Sequence, residues 1–560
     1  MRLDSKRRLR LTGALLATLV VVTRLPFMSH TLFEFDSVDF AVATFRFSLE
    51  QITPHMPGYI IHILLGRLFS LLTPSLNNAF VLLSIFLSIG SALFLWRAAY
   101  RLRGERVALI VAVLWLTHPF FWFYGEVATA YAYESFFASA ILMLGIGLLR
   151  NPDSKWRPIA LGIVLSLATG ARQSSLLFFA PAIIYLLVTT RQSRAVWLRS
   201  AFAFAVVTAL WGFALIRESG GLATYLHLAG LEHVYRSQSI LFGNPLREHL
   251  AIIAKVFTYL IAGSIPLIIA ACIASIVSLR WTIQFISDTF KARSFRFTVL
   301  VAIVPLLFYI SVYFMKAGYL LNVWPSIILI SGVLIDQCAL MIARKRKEKS
   351  KDRLLLTRPL ITRATILITS VIVLLHVLWF AFPLPGKDEA TFYNANTQDS
   401  FSESLTKRYE GGDRASIALN RLFAYSSLQA AKAADAINNM LIKQFANSGS
   451  KPVTLLATWW SRQAYFYLPK MNVYDIRTDA NQKLLVGVAK DYTRHPLADS
   501  VIHLPHEATY LLIRGDHPDL GTIMRQVRVR RLNMPKYLDL YEVVDSAFSF
   551  SLDGVRFVKD

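Results

Sequence analysis

The first 383 residues of the chain alternate between apolar runs and short polar connections. An apolar run near or above about 18 residues is typical of a helix that crosses a lipid bilayer, because that length spans the hydrocarbon layer. The pattern therefore predicts a helical, polytopic membrane protein. Twelve apolar runs are visible, at residues 11–27, 57–74, 78–96, 107–121, 131–149, 158–169, 175–189, 200–216, 252–278, 297–314, 318–340 and 365–382.

The run at 57–74 differs from the other eleven. It follows Pro54 and contains Gly58, His62 and Arg67, so we expect it to lie in or dip into the membrane interface rather than cross. About eleven spans then remain. With eleven crossings the basic connections all fall on one side, which is the cytoplasmic side because Lys and Arg are retained there. These connections are residues 97–106, 150–157, 190–199, 279–296 and 343–364.

This topology puts the N-terminus in the cytoplasm and everything after the last span on the external side. From residue 384 the apolar runs shrink to strand length, which predicts a separate soluble α/β domain over residues 384–560. No glycine-rich dinucleotide fingerprint or P-loop occurs in it. We expect a helix at residues 414–445, followed by strands at residues 453–458, 472–476, 509–514 and 537–544.

Composition and charge support the membrane interpretation. The chain is 55% hydrophobic and 17% charged, with a mean hydropathy of +0.47. Its net charge is +24, and residues 1–383 carry 37 Lys and Arg against 16 Asp and Glu. Because this excess lies in loops between apolar runs, we expect membrane lipids and no nucleic acid as partners. Cys272 and Cys338 lie in apolar runs, so we expect neither a disulfide nor a metal site from them.

Acidic side chains cluster directly after the first span. Glu34, Asp36 and Asp39 lie within six residues, and a helix would put Asp36 and Asp39 on one face. Such a pair can supply a general base and its orienting partner, or ligate a metal ion. Solvated acids and helix caps have the same spacing, so this pattern alone leaves both interpretations open.

Further ionisable groups are predicted to reach the same external face. Glu126 lies in the second external loop, and Glu134 lies in the following apolar run, where a charge needs a partner or a cavity. Arg172 and Lys316 lie in two more external turns, although cations at span ends also extend to the interface without another role. The candidate substrate contacts are His55, Tyr59, Tyr131, Glu134, Arg172, Lys316 and Tyr319.

This set suits attack on a phosphate-linked substrate held in the bilayer. A carboxylate can accept the proton of an acceptor hydroxyl, while Arg172 and Lys316, with a protonated His55, stabilise charge on the departing phosphate. A lipid or glycan transporter or flippase, or a non-catalytic membrane protein with a glycan-binding external domain, would also carry ionisable groups. A divalent metal, magnesium or manganese, is left open, with Asp36, Asp39 and Glu126 as its candidate ligands.

Two short motifs resemble a known superfamily. The residues from Asp36 to Phe40 read Asp-Ser-Val-Asp-Phe, and those from His55 to Tyr59 read His-Met-Pro-Gly-Tyr. They are similar to Asp-Ser-Gly-Glu-Phe and His-Pro-Pro-Gly-Tyr elements of C-type (GT-C) glycosyltransferases, in the bacterial branches related to protein O-mannosyltransferases and lipid A aminoarabinose transferases. The resemblance covers about residues 10–340.

The resemblance implies a transferase that takes a sugar from a polyprenyl-phosphate donor on the external face of the membrane, with inversion at the anomeric carbon. The acceptor is a glycan, a lipid or a protein. The acid of the first loop is the base in this superfamily, which implies Asp36 or Asp39, and the second-loop acid that assists it corresponds to Glu126. The sequence departs from the pattern at Met56, which replaces a proline, and at Thr129, where that branch has its second acid.

Overall fold

The computed structural model confirms the predicted class, a helical membrane-type fold followed by a C-terminal α/β unit. Residues 414–425 of the helix predicted at 414–445, residue Thr458 and the ends of two predicted strands lie outside the described residues. The described residues are 5–50, 53–237, 246–311, 316–349, 357–382, 426–446, 453–457, 460–479, 482–488, 491–496, 501–513, 517, 519–532, 539–552 and 554–560.

Sixteen helices precede the C-terminal unit within the described part of the chain. A 3₁₀ turn, Ala317–Asn322, lies between the fourteenth and fifteenth of them. The helices are α1 (Ser5–Arg24), α2 (Phe35–Phe45), α3 (Ile60–Ser70), α4 (Leu76–Arg103), α5 (Glu105–Thr117), α6 (Pro119–Phe123), α7 (Ala132–Arg150), α8 (Trp156–Ala171), α9 (Ser175–Thr189), α10 (Arg194–Glu218), α11 (Leu222–Ser237), α12 (Leu246–Gly263), α13 (Ile265–Lys291), α14 (Arg293–Ser311), α15 (Trp324–Lys349) and α16 (Thr357–Ala381).

Eight of the described helices are long and apolar enough to cross a membrane, by length and composition: α1, α4, α7, α10, α13, α14, α15 and α16. Large apolar side chains such as Phe202, Leu210 and Ile276 remain exposed on them, which is expected where lipid replaces water. Helices α3, α8 and α9, and residues 253–263 of α12, are apolar but shorter. The number of crossings, predicted as eleven, stays a prediction.

The two short helices of the first loop agree with the predicted in-plane elements. Helix α3 has 11 residues, and at about 1.5 Å per residue it is much shorter than the roughly 30 Å of a bilayer's hydrocarbon core. It packs against α2 and α4. The loop between the first two long helices therefore contains two short packed helices, and the acidic cluster lies at the start of the first of them, α2.

One predicted run is divided in the structure. The apolar stretch at 252–278 was expected to be continuous, but α12 ends at Gly263 and α13 begins at Ile265. Pro266 lies in the first turn of α13, where its missing N–H costs nothing, and it cannot continue a preceding helix. The Cβ of a larger residue at Gly263 would lie 2.1 Å from Trp324 Nε1, so the bend occurs where α12 passes this indole.

The C-terminal unit is built on a seven-stranded mixed sheet with strand order β4-β3-β2-β1-β6-β8-β7, and on a three-stranded sheet with order β5-β10-β9. Strand β1 is parallel to β2 and β6 and is buried throughout, as its mostly apolar sequence, interrupted only by Thr454, predicts. The strands are β1 (Val453–Ala457), β2 (Asn472–Asp479), β3 (Gln482–Val488), β4 (Asp491–Pro496), β5 (Val501–His503), β6 (Ala508–Leu512), β7 (Val529–Arg531), β8 (Leu540–Val543), β9 (Phe548–Leu552) and β10 (Val555–Lys559), and the helices are α17 (Leu428–Ala446), α18 (Ser461–Tyr467) and α19 (Leu520–Gln526).

Helices α17 and α18 hold the start of the first loop. Asp435 of α17 accepts hydrogen bonds from the backbone N–H groups of His30 and Thr31, at 2.8 and 2.7 Å, and from Thr31 Oγ1 at 2.6 Å. Tyr467 of α18 accepts one from the N–H of Leu32 at 2.7 Å. The C-terminal unit thus satisfies three consecutive backbone donors just before α2 begins.

Replacing Asp435 with Ala is expected to lower the stability of the folded protein by about 1–3 kcal/mol, because the donors at His30 and Thr31 lose their acceptor. Thermal unfolding of the purified protein in detergent measures the change. The matched control is Asp288→Ala, which removes an exposed ion pair with Lys291 and should leave the midpoint almost unchanged. Equal midpoints for wild type and Asp435→Ala would contradict the assigned contact.

Candidate functional site

Helix α2 carries two of the predicted acids and begins in a reciprocal cap. The Glu34 side chain accepts from the backbone of Ser37, and Ser37 Oγ accepts from the N–H of Glu34 at 3.4 Å. This cap fixes where the helix begins and so places Asp36 in the first turn, with Asp39 one turn later. The side chain of Asp36 is 26% exposed, whereas that of Asp39 is 2% exposed. Asp36 is therefore the more solvent-accessible of the two acids of α2.

Lys316 connects this helix to a distant part of the chain. Its Nζ donates to Glu34 Oε2 at 2.8 Å and to Asp36 Oδ2 at 3.1 Å, and the side chain is only 6% exposed. The adjoining 3₁₀ turn is fixed by Gly318, whose N–H donates to Tyr124 Oη at 2.8 Å. A Cβ at Gly318 would lie 2.4 Å from Tyr131 Cγ, so this close approach requires glycine.

Asp36 is held in its charged form. Burial alone would raise the pKa of this carboxyl, but the charges of Lys316, His55 and Arg462 and the hydrogen bond from Lys316 outweigh it. The net effect is a pKa well below the ordinary value. Asp36 is therefore a carboxylate at neutral pH, and its basicity is governed mainly by Lys316.

The His55–Tyr59 segment turns tightly beside Asp36. Gly58 and Tyr59 have φ values of 102° and 43°, and the Gly58 N–H donates to the carbonyl of His55 at 3.0 Å. His55 Nδ1 lies 4.0 Å from Asp36 Oδ1. The ring of Phe40 packs against both His55 and Tyr59, with centroid distances of 5.7 and 5.1 Å. The structure thus brings two of the predicted substrate contacts next to the exposed acid.

A second ion pair, between Glu134 and Arg172, lies near the Lys316 cluster. Glu134 accepts from Arg172 Nη1 at 2.9 Å through Oε1 and from Asn322 Nδ2 at 2.9 Å through Oε2. The Arg172 guanidinium lies 4.2 Å from the centroid of the Tyr319 ring. Tyr131 packs edge-on against Tyr319 at 5.4 Å, and its side chain also neighbours the Lys316 charge. Tyr131 and Tyr319 therefore join the Arg172 pair to the Lys316 cluster.

Asp39 has a partner that no sequence pattern predicted. Arg462 of α18 forms an ion pair with Asp39, is fully buried, and lies 3.7 Å from the centroid of the Phe35 ring. Asn322 was also missed. Neither residue belongs to a motif, and Arg462 lies in a soluble domain where arginine is common, so only the folded structure reveals these contacts.

The sequence predicts Glu126 beside the acids of α2, but its carboxylate has different neighbours. Its carboxylate is fully buried, and the charges that act on it are those of Arg24 and Lys432. Burial raises its pKa well above the ordinary value, despite these two cations. The backbone carbonyl of Glu126 accepts from the N–H of Ser29, which ties the second loop to the end of α1. The structure therefore does not group Glu126 with Asp36 and Asp39.

The group with metal-ligand spacing also differs from the expected one. Among the described residues, Asp36, Asp39 and His55 present ligand-type atoms within 4.8 Å of one another. Both carboxylates, however, already contact cations of the protein, Lys316 and Arg462. The residues present therefore do not fit a divalent cation, and no step of the reaction is assigned to one.

Comparisons with known proteins agree with this architecture. Residues 53–216 match the family model of dolichyl-phosphate-mannose-protein mannosyltransferases. ArnT from Cupriavidus metallidurans bound to undecaprenyl phosphate superposes with a TM-score of 0.54, at 11% identity over 97% of this chain and 99% of that chain. The same protein in the apo state gives a TM-score of 0.51, at 12% identity over 96% of this chain and 98% of that chain. No curated protein matches the sequence.

The structural likeness extends over the membrane helices and the C-terminal unit together. The protein has the fold of the GT-C glycosyltransferases, as the short motifs predicted. The matched family segment includes His55, Tyr59, Tyr131, Glu134 and Arg172. The remaining candidate contacts, Lys316 and Tyr319, come from later in the chain and reach the site through the fold.

The Glu134–Arg172 pair is expected to behave as a buried ion pair. Removing one partner in Glu134→Gln or Arg172→Gln should cost about 3–5 kcal/mol, since the other charge is left without compensation. The double variant should reveal a coupling of about 0.5–3 kcal/mol. Unfolding of purified protein in detergent by added SDS measures both quantities.

The matched control for this cycle is the pair Arg67 and Glu218, whose side chains are each 31% exposed. Solvent screening limits such a pair to about 0–1 kcal/mol. The side chains of Glu134 and Arg172 are 3% and 18% exposed. A coupling between them no larger than that at Arg67–Glu218 would show that this lower exposure does not strengthen the pair.

Proposed function

We propose that this protein is a membrane glycosyltransferase that moves a hexose or pentose from a polyprenyl-phosphate donor to an acceptor hydroxyl. The observation that carries the proposal is a partly exposed carboxylate, Asp36, hydrogen-bonded to the nearly buried Lys316 beside the Arg172–Glu134 pair. A base and phosphate-binding cations are the two requirements of sugar transfer from a phosphate. The GT-C fold and the matched mannosyltransferase segment support it.

In the proposed reaction, Asp36 accepts the proton of the acceptor hydroxyl as its oxygen attacks the anomeric carbon of the sugar. A new carbon–oxygen bond forms while the bond from that carbon to the phosphate oxygen breaks. The electron pair leaves with the polyprenyl phosphate. Attack and departure on opposite faces of the sugar invert the anomeric carbon. His55, 4.0 Å from Asp36, lies where it can orient the base.

Lys316 and Arg172 are the proposed donors to the phosphate. Lys316 is a mobile point charge, whereas the guanidinium of Arg172 offers a fork of N–H groups. When a phosphate takes up Lys316, Asp36 loses its strongest stabilising partner and becomes a better base. Donor binding therefore prepares the carboxylate for proton transfer. Tyr131 and Tyr319 pack against each other beside these cations, and Tyr59 packs against His55. We assign the contact with the sugar ring to these aromatic side chains.

The proposal leaves out Glu126, because its carboxylate is fully buried and the charges that act on it are those of Arg24 and Lys432. It places the N-terminus in the cytoplasm and the site on the external face of a bacterial inner membrane. In that orientation residues 1–383 form the catalytic domain and residues 384–560 the external domain. The acceptor is a glycan, a lipid or a protein. A panel of radiolabelled polyprenyl-phosphate sugars, tested with membrane extracts as acceptors, identifies the sugar and tests the function.

Replacing Asp36 with Asn should reduce sugar transfer by about 10²–10⁴-fold, because the amide has the same size but accepts no proton. Release of polyprenyl phosphate by protein reconstituted in liposomes measures the rate. Donor binding and the unfolding midpoint should change little. Glu50→Gln, an exposed acid of the same loop, is the control and should transfer at the wild-type rate. Wild-type turnover by Asp36→Asn would remove Asp36 from the role of base.

Replacing Lys316 with Met should raise the KM for the donor and move the acid limb of the pH–rate profile to higher pH. The sign follows from the balance at Asp36, where burial raises the pKa and Lys316 is the largest influence that lowers it. Without Lys316, the carboxylate becomes protonated at a higher pH and the base is lost earlier on acidification.

The comparison variant is Lys291→Met, an exposed lysine paired with Asp288. Its pH profile and KM should match those of the wild type. An acid limb that stays in place in Lys316→Met would show that the titrating group of the reaction is not Asp36.

A further inference from the structure

Asp36, Asp39 and His55 have the composition and spacing of a cation site, with ligand-type atoms within 4.8 Å of one another. Two acids and a histidine are a donor set that several divalent cations accept. The charges that surround this set decide whether a metal ion can enter it.

The protein supplies two positive charges to the group. The ammonium of Lys316 lies 3.1 Å from Asp36 Oδ2, and the guanidinium of Arg462 pairs with Asp39. With Glu34, which also accepts from Lys316, three carboxylates face two cations. The two cations offset two of the three negative charges that would hold a divalent ion, and they repel such an ion at short range, where the interior screens charge poorly. The ion would have to displace Arg462, whose side chain is fully buried.

We propose that the guanidinium of Arg462, supplied by the external domain, occupies the position of a divalent cation at Asp39, so that sugar transfer needs no metal ion. The proposal rests on the proposed function of Asp36 as the base. Arg462 acts through Asp39 and helix α2, so it is a positioning residue. Its effect is to fix the helix turn on which Asp36 lies.

Arginine suits this position better than any other cationic residue. Its charge persists at all relevant pH values, its planar head stacks on an aromatic ring, and it needs less hydration than an ammonium. Here the ring is that of Phe35, the first residue of α2, at 3.7 Å. Arg462 therefore contacts α2 at both Phe35 and Asp39, which defines the rotation of the helix.

Helix α18, which carries Arg462, also binds the loop that precedes α2. Helix α18 holds Arg462 at its second position, and Tyr467 at its end accepts the N–H of Leu32. Asp435 and Asn438 of helix α17 both form hydrogen bonds with the hydroxyl of Thr31 in this loop. The guanidinium and the helix it orients thus belong to one connected unit of loop and external domain, which a free metal ion would not provide.

The test uses the full-length protein in liposomes, with and without EDTA, and the electron paramagnetic resonance of added Mn²⁺ as a readout independent of turnover. Wild-type transfer should change less than twofold with EDTA, and the wild type should bind no stoichiometric Mn²⁺. Arg462→Gln should lower kcat by at least tenfold while the donor KM stays within twofold, because the base is misplaced but the phosphate contacts remain. Arg462→Lys keeps the charge and should recover part of the rate.

Arg528→Gln is the matched control, since Arg528 pairs with Asp545 on the exposed side of the same domain. It should behave as the wild type. The proposal is overturned if EDTA abolishes wild-type transfer and Mn²⁺ restores it, or if one Mn²⁺ binds to the wild type and is lost in Asp39→Asn. It is also overturned if Arg462→Gln turns over at the wild-type rate, or if Arg462→Lys is as slow as Arg462→Gln. If Arg462→Gln does not fold, the Mn²⁺ and EDTA measurements on the wild type and the transfer rate of Arg462→Lys test the proposal.

These measurements separate the two proposals. Absence of sugar transfer by the wild type with every donor would contradict the proposed function alone. The Mn²⁺ signal of the wild type and of Asp39→Asn would still test whether Arg462 excludes a cation.

Discussion

The contact of Lys316 with Glu34 and Asp36 is the interaction on which the site depends. It joins residues separated by 282 and 280 positions in the chain. A nearly buried ammonium is costly without carboxylate partners, and the acids are costly without it, so each side fixes the position of the other. Gly318 and Tyr124 bring the 3₁₀ turn to the required distance. The electrostatic balance at Asp36 follows from this one approach.

The second cation of the cluster comes from outside the membrane part. Arg462 reaches Asp39 from α18, while Asp435 and Tyr467 satisfy the backbone of residues 30–32. The C-terminal unit therefore contributes directly to the candidate site: it supplies the cation that pairs with Asp39 and satisfies the backbone donors that precede α2. The candidate site consists of the first loop, the turn at Lys316 and α18, three segments that only the folded chain brings together.

The two buried acids of the second loop region illustrate how environment separates similar residues. Glu134 is compensated by Arg172 and Asn322 and is linked to the site through Tyr319. Glu126, eight residues earlier, turns instead toward Arg24 and Lys432. Spacing along the chain predicted that both would reach one cleft. The short helix α6 and the loop after it redirect Glu126 into the packing against α1, which spacing does not reveal.

The sequence by itself determined the class of fold, because lipid requires long apolar helices and leaves that requirement visible in the run lengths. The acidic first loop, the motif from His55 to Tyr59 and the cations Arg172 and Lys316 could also be picked out from the sequence, since ionisable groups beside spans are rare. The tight turn at Gly58 and Tyr59, where an in-plane helix was predicted, is a result of the structure. The tertiary structure decided the partners: Lys316 with Asp36, Arg462 with Asp39, and Glu126 away from both. The physical reason is that a buried charge is stabilised by whichever opposite charge packing brings within a few ångströms, and that choice depends on contacts between distant segments rather than on local pattern.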